Sequence, residues 1–190
     1  MTKGRLEAFS DGVIAILITI MVLELKVPHG GDFAALRPIL PEFLVYLLSF
    51  ILIGIYWNNH HHMLHMVERV TGGVLWANLH LLFWLSLVTF STGWMGENST
   101  STLPTVLYSS VLLASAIAYY ILQSTIIRAQ GPDSKLRSAV GGDLKGKISP
   151  VLYALAIGGA FIHVHISHGL IILVALIWLV PDRRLEKRMH

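Results

Sequence analysis

The chain has 190 residues, 54% of them hydrophobic and only 13% charged, with a formal net charge of +3 and a mean hydropathy of +0.65. A water-soluble domain carries about 25% charged residues, so this composition excludes a surface that faces water everywhere and implies that lipid covers much of it. There is no cysteine, which excludes disulfides, thiolate metal sites and cysteine nucleophiles.

The stretches free of Asp, Glu, Lys and Arg place the helices in chain order. They run over residues 12–23, from residue 43 to the histidines at 60–62, and over 70–96, 98–127 and 148–181. The first is flanked by Asp11 and Glu24 and lacks a small-residue cleavage pattern, so a cleaved signal peptide is not expected. A membrane span needs about 20 helical residues at a rise of about 1.5 Å each. The second, third and fourth stretches reach that length. The fifth is too long for one ordinary span, and its polar patch, His163-Val164-His165-Ile166-Ser167-His168-Gly169, predicts a tight turn between two short helices. A single tilted helix is the alternative.

Charge placement separates the two. With six spans and both termini cytoplasmic, the inner side holds Lys3, Arg5, Arg69, Arg128, Lys135, Arg137, Lys145, Lys147, Arg183, Arg184, Lys187 and Arg188, twelve of the fourteen Lys and Arg. Only Lys26 and Arg37 fall outside, as the positive-inside rule asks. Five spans would put the basic C-terminal tail outside. The expected fold is therefore an all-α integral membrane protein of six spans, one domain over residues 1–190 without internal repeats. Residues 28–41 form an outer loop, and residues 130–147 a Gly-, Ser- and charge-rich inner loop expected to be mobile.

The first helix is unusual. Its uncharged stretch, residues 12–23, is about 18 Å long, against a hydrocarbon core of about 30 Å. To span, it must take Arg5, Asp11 and Glu24 to membrane depth, where each charge costs about 2.5–3.5 kcal/mol. Such a helix belongs inside an assembly rather than in lipid. At 100° per residue, Gly12, Ile16, Ile20, Leu23 and Val27 form one stripe with Thr19 at its edge. Taken alone, that stripe reads as core packing. Antiparallel spans bring Trp57, Asn58, Asn59, His60, His61 and His62 near the depth of Arg5, Ser10 and Asp11, with Trp76, Asn78 and His80 close by. A hydrogen-bonded polar network follows, because each group is expensive to leave unpaired in a membrane.

Arg5, Phe9, Ser10 and Asp11 read R-x-x-x-F-S-D at the start of the first span, followed by Gly-Val-Ile-Ala-Ile-Leu-Ile-Thr, and then by Leu-Glu-Leu-Lys-Val-Pro at residues 23–28. Together with Trp-Asn-Asn-His-His near the end of the second, this resembles the transmembrane protein 175 family of potassium channels. The resemblance implies a homotetramer with four copies of the first helix around a central pore. It implies a hydrophobic constriction at Ile16, five residues beyond the motif Asp, with Thr19 one turn on and Ile20 and Leu23 extending the lining from Gly12 outward. Arg5, Phe9, Ser10 and Asp11, with Trp57, would hold helices together near the cytoplasmic mouth, and His60, His61 and His80 are the candidate histidine partners. Potassium is the implied permeant ion. Lipid, monovalent cations and further copies of the chain are the implied partners, with no metal, other cofactor or nucleic acid.

There is no TVGYG filter sequence. Potassium holds water less tightly than sodium, so a narrow apolar ring would pass it more easily, though less selectively than a ring of carbonyls would. Asp11 near the mouth could concentrate cations. Two rival readings remain. A proton- or cation-coupled transporter would use the intramembrane ionisable groups, and Gly158-Gly159 could break a helix for it. A histidine-rich metalloenzyme would use His60, His61, His62 and His65 or His163, His165 and His168, but six spans put these clusters on opposite sides. Asn98-Ser99-Thr100 matches a glycosylation acceptor, without meaning in the prokaryotic plasma membrane expected here.

Overall fold

The computed structural model describes residues 1–132 and 134–179. Among them there are seven α-helices and no strand. Helix α1, Lys3–Met21, runs into a 3-10 turn at Val22–Glu24. A second 3-10 segment, Phe33–Ile39, is capped by Asp32, whose carboxylate accepts from the Ala35 amide at 3.1 Å. It leads into α2, Leu40–His65, with Pro41 in the first turn, where its missing N–H is no loss. The Thr71 hydroxyl caps α3, Gly72–Glu97. Helix α4, Thr102–Gln130, stops at Gly131, which adopts a φ of 82°. Short α5, Lys135–Val140, precedes α6, Leu144–Ile162, and α7, Val164–Leu179.

Among the described residues, four segments are long and apolar enough to cross a membrane: Lys3–Glu24, Phe33–His65, Gly72–Glu97 and Thr102–Gln130, with Val164–Leu179 a shorter apolar helix. Helix α3 packs against α1, α2 and α4, while α6 packs against α4 and α7. The bundle is apolar outside: Phe83, Phe90, Leu155 and Phe161 are all exposed. The core within is aliphatic as well, with Ile14, Ile53, Leu81, Leu85, Leu112 and Leu122 fully buried, and a minority of buried polar side chains links the helices. Ser49 and Tyr108 share a hydrogen bond of 2.8 Å, and Thr92 donates to Ser49 at 2.7 Å, joining α2, α3 and α4. Ser109 and Ser167 join α4 to α7 at 3.0 Å. Such bonds take the place of the hydrophobic drive that lipid removes, at about 0.6 kcal/mol each on average.

Three expectations are corrected. The break before the last helix is His163 alone, in extended conformation, rather than the whole patch 163–169. The chain turns there because Gly159 lets α7 fold back, a Cβ at 159 coming within 2.8 Å of Ile166 Cγ2. His165, Ser167 and His168 then occupy the first two turns of α7. The stripe on α1 stops short of Val27, because Pro28 disfavours helical geometry in the residue before it. The inner loop is partly helical, since α5 buries Leu136 and Ala139, and Lys135 pairs with Glu68 at 2.8 Å. The neighbouring Lys135 ammonium holds the Glu68 carboxyl below its usual range. The basic tail at 183–188 lies outside the described residues.

Gly96 sets how closely α2 approaches α3. A Cβ there would lie 3.0 Å from Glu42 Cγ and 3.3 Å from Glu42 Cα, and the latter is backbone that cannot swing away. Gly96→Ala is expected to destabilise the protein by about 1–3 kcal/mol through overpacking, read as a lower midpoint of thermal unfolding in detergent. Gly158→Ala, with open space at its Cβ position, is the control and should leave the midpoint unchanged or higher.

Candidate pore-lining helix and its buried network

Helix α1 has two faces. Leu6, Ser10, Ile14, Leu17 and Met21, spaced by three or four residues, are buried against α2 and α3. The opposite face carries Arg5, Phe9, Gly12, Ile16, Thr19, Ile20 and Leu23, all exposed in the single chain. Ile16 is 59% exposed, Ile20 39% and Leu23 78%. The stripe found by spacing is thus open surface within the subunit, not core. The Thr19 hydroxyl lies within hydrogen-bond reach of Ala15 O (3.0 Å) and Ile16 O (2.9 Å). Its proton turns back along the helix and leaves oxygen lone pairs available as acceptors.

Behind this face a chain of hydrogen bonds crosses three helices. Ser10 Oγ donates to Leu6 O at 2.8 Å and accepts from Asn78 Nδ2 at 2.9 Å. Asn78 Oδ1 lies 2.8 Å from His60 Nε2. Because the Asn78 nitrogen is committed to Ser10, its oxygen is the acceptor and His60 Nε2 the donor. All three side chains are buried. His60 Nδ1 has no partner among the described residues. Beside this chain, Trp57 Nε1 donates to Asp11 Oδ1 at 3.0 Å, so the Asp11 charge is held by a neutral donor. Lys3 Nζ reaches the carbonyl of His65, a further tie from α1 to the end of α2.

The structure therefore brings Ser10, Asn78 and His60 together, and Asp11 with Trp57. His61 is exposed and stacks beside Trp57 and His65. His80 accepts from Trp84 Nε1 on its own helix at 2.9 Å and does not reach the α1 motif. Arg5 and Phe9 lie on the exposed face. Asn78, noticed in the sequence only as a neighbour, is the centre of the network. At the other end of α1, Lys26 pairs with Glu97 at 2.6 Å, and that carboxylate raises the Lys26 pKa. Among the described residues no group of three or more His, Asp or Glu side chains is arranged to hold a metal ion. The two histidine clusters sit at opposite ends: α6 begins beside Asn59 near the end of α2, and its 19 residues carry the chain away to His163.

An all-α bundle with membrane-length helices, buried hydrogen bonds between those helices and an N-terminal helix that keeps one apolar face uncovered within the chain has the build of a helical membrane channel. The family model of the endosomal/lysosomal potassium channel TMEM175 matches residues 5–88. A potassium channel of Chryseobacterium sp. (strain P1-3) is 56% identical over 189 residues, covering 100% of this chain and 98% of its own. A potassium channel of Streptomyces collinus is 33% identical, covering 90% of each chain. The crystal structure of a lysosomal potassium-selective channel TMEM175 homolog from Chamaesiphon minutus superposes with a TM-score of 0.82 at 30% identity, covering 94% of this chain and 96% of its own. The chain belongs to the TMEM175 family of potassium channels, whose members are channels and not enzymes.

Proposed function

We propose that the chain is one of four identical subunits of a potassium-permeable channel, weakly selective over sodium, with the exposed face of α1 from each subunit lining the pore. The observation that carries this reading is the contrast between the two faces of α1. Leu6, Ser10, Ile14, Leu17 and Met21 are packed, whereas Gly12, Ile16, Thr19, Ile20 and Leu23 have no cover within the subunit. In this reading each subunit crosses the prokaryotic plasma membrane six times with both termini cytoplasmic, α6 and α7 forming the last, short pair. The skewed distribution of Lys and Arg supports it. A ring of Ile16 side chains excludes water when the helices are close, and a small tilt or rotation of α1 widens it. Thr19 oxygens then replace part of the ion's lost hydration, and the Asp11 carboxylate, held by the neutral Trp57 donor, raises the local cation concentration at the inner mouth.

The test is reconstitution in liposomes with opposed potassium and sodium gradients, combined with native mass spectrometry of the purified complex. The expected result is a reversal potential displaced toward the potassium equilibrium and a mass of four chains. Verified protein that passes no ion current would overturn the channel reading. A monomeric mass would leave the α1 face to lipid and overturn the pore assignment.

A further inference from the structure

Helix α6 keeps an apolar face uncovered on a different side of the bundle from the pore helix. It packs against α4 and α7, whereas α1 packs against α2 and α3. Leu144, Ile148, Val151 and Leu155 are spaced by three or four residues, so they fall within a stripe about 60° wide. All four are exposed, from 39% at Ile148 to 67% at Leu144. From Leu144 to Leu155 the stripe is about 16 Å long at helical rise. That is the depth of one leaflet, half of a hydrocarbon core of about 30 Å.

Positive charge stands at the foot of this stripe. Lys145 and Lys147 flank Leu144, about 100° to one side and about 60° to the other. Helical side chains lean toward the N-terminus. Since α6 begins at the inner end, both ammoniums are carried out of the hydrocarbon to the level of the inner headgroups. Lys145 Nζ lies 5.8 Å from the Trp178 ring centroid, and Trp178 is itself held by Ser149, to which its Nε1 donates at 2.8 Å. Lys147 is exposed. Asp143 turns its carboxylate onto the Gly146 amide at 2.9 Å, so the first turn sets two ammoniums against one carboxylate. Other basic groups at this end are arranged differently. Lys3 reaches the His65 carbonyl, and Arg128 stands in the last turn of α4, where the lean of a side chain points back into the membrane. We propose that α6 seats an anionic phospholipid of the inner leaflet, one acyl chain along Leu144, Ile148, Val151 and Leu155 and the phosphate between Lys145 and Lys147. A zwitterionic lipid meets the same stripe, but its own cation offsets the phosphate, so the two lysines select a headgroup of net negative charge. The leaflet rests on the six-span reading, and the site is independent of the pore.

The probes are phosphatidylglycerol and phosphatidylcholine with matched acyl chains, titrated into the purified full chain in detergent and followed by native mass spectrometry. The expected result is saturable binding of one phosphatidylglycerol per chain, with phosphatidylcholine about 25-fold weaker, about fivefold for each lysine. Lys147→Gln should weaken phosphatidylglycerol about fivefold, and Lys145→Gln with Lys147→Gln about 25-fold, while phosphatidylcholine is unchanged. Lys147→Arg should restore the wild-type affinity. Arg69→Gln removes an exposed inner charge outside this face and should change nothing. Equal affinity for the two lipids, full phosphatidylglycerol binding in the double variant, or an equal loss in Arg69→Gln, which would spread the effect over the whole inner surface, would each overturn the proposal. Binding in detergent reads neither topology nor current, so its failure leaves the channel reading standing, and a chain that passes no current leaves the lipid result standing.

Discussion

Replacing Ile16 by Asn is expected to raise ion current through the reconstituted channel by about 10- to 100-fold and to move the reversal potential toward zero. Four apolar side chains at one level offer a permeating ion nothing in exchange for its water, and the resulting desolvation barrier both closes the pore and sorts ions by hydration. Four carboxamides at that level supply hydrogen-bonding groups and hold water. If they lower the barrier by about 1.4–2.8 kcal/mol, the rate rises by that same factor. Selectivity falls with it, because a wetted ring no longer requires the ion to dehydrate. Leu17→Asn is the control: Leu17 is on the same helix but buried, so the substitution should damage folding without opening the pore. Currents unchanged by Ile16→Asn but raised by Ile20→Asn or Leu23→Asn would move the constriction along the helix and refute its placement at residue 16.

The α1 stripe shows how far the sequence reaches. Helical spacing groups Gly12, Ile16, Ile20 and Leu23 without any structure, and the charges around residues 12–23 already argue that this helix avoids lipid. Spacing cannot say whether an apolar stripe is packed or open, since both faces of a membrane helix are apolar. The same symmetry hides the rotation of α2. His60, His61 and His62 point in three directions at 100° intervals, and only packing against α1 and α3 decides that His60 turns inward to Asn78. The break at His163 was visible as a polar patch but not as a single residue, because the close approach of Gly159 to Ile166 that fixes it is a contact between two helices.

Asn78 is where the largest loss of stability is expected. Its amide is the only link among these three side chains that touches both of the others, Ser10 on α1 and His60 on α2. Asn78→Leu keeps approximate volume but strands His60, which then has neither ring nitrogen paired, Nδ1 being without a partner already. Ser10 is less affected, because its own proton goes to the Leu6 carbonyl. The expected cost is about 2–4 kcal/mol, the sum of a lost buried hydrogen bond and the desolvation of an orphaned imidazole N–H, measured as a fall in the thermal unfolding midpoint in detergent. The penalty belongs to the pair, so His60→Leu combined with Asn78→Leu should recover about 1–3 kcal/mol of the summed single losses in a double-mutant cycle. Full additivity would show that His60 and Asn78 stabilise the bundle separately, and the network would then not be what fixes α1. If the coupling is found, the same substitutions should also alter currents without touching the lining, because the rotation of α1 that presents Ile16 to the pore axis is set by the face that Ser10 anchors.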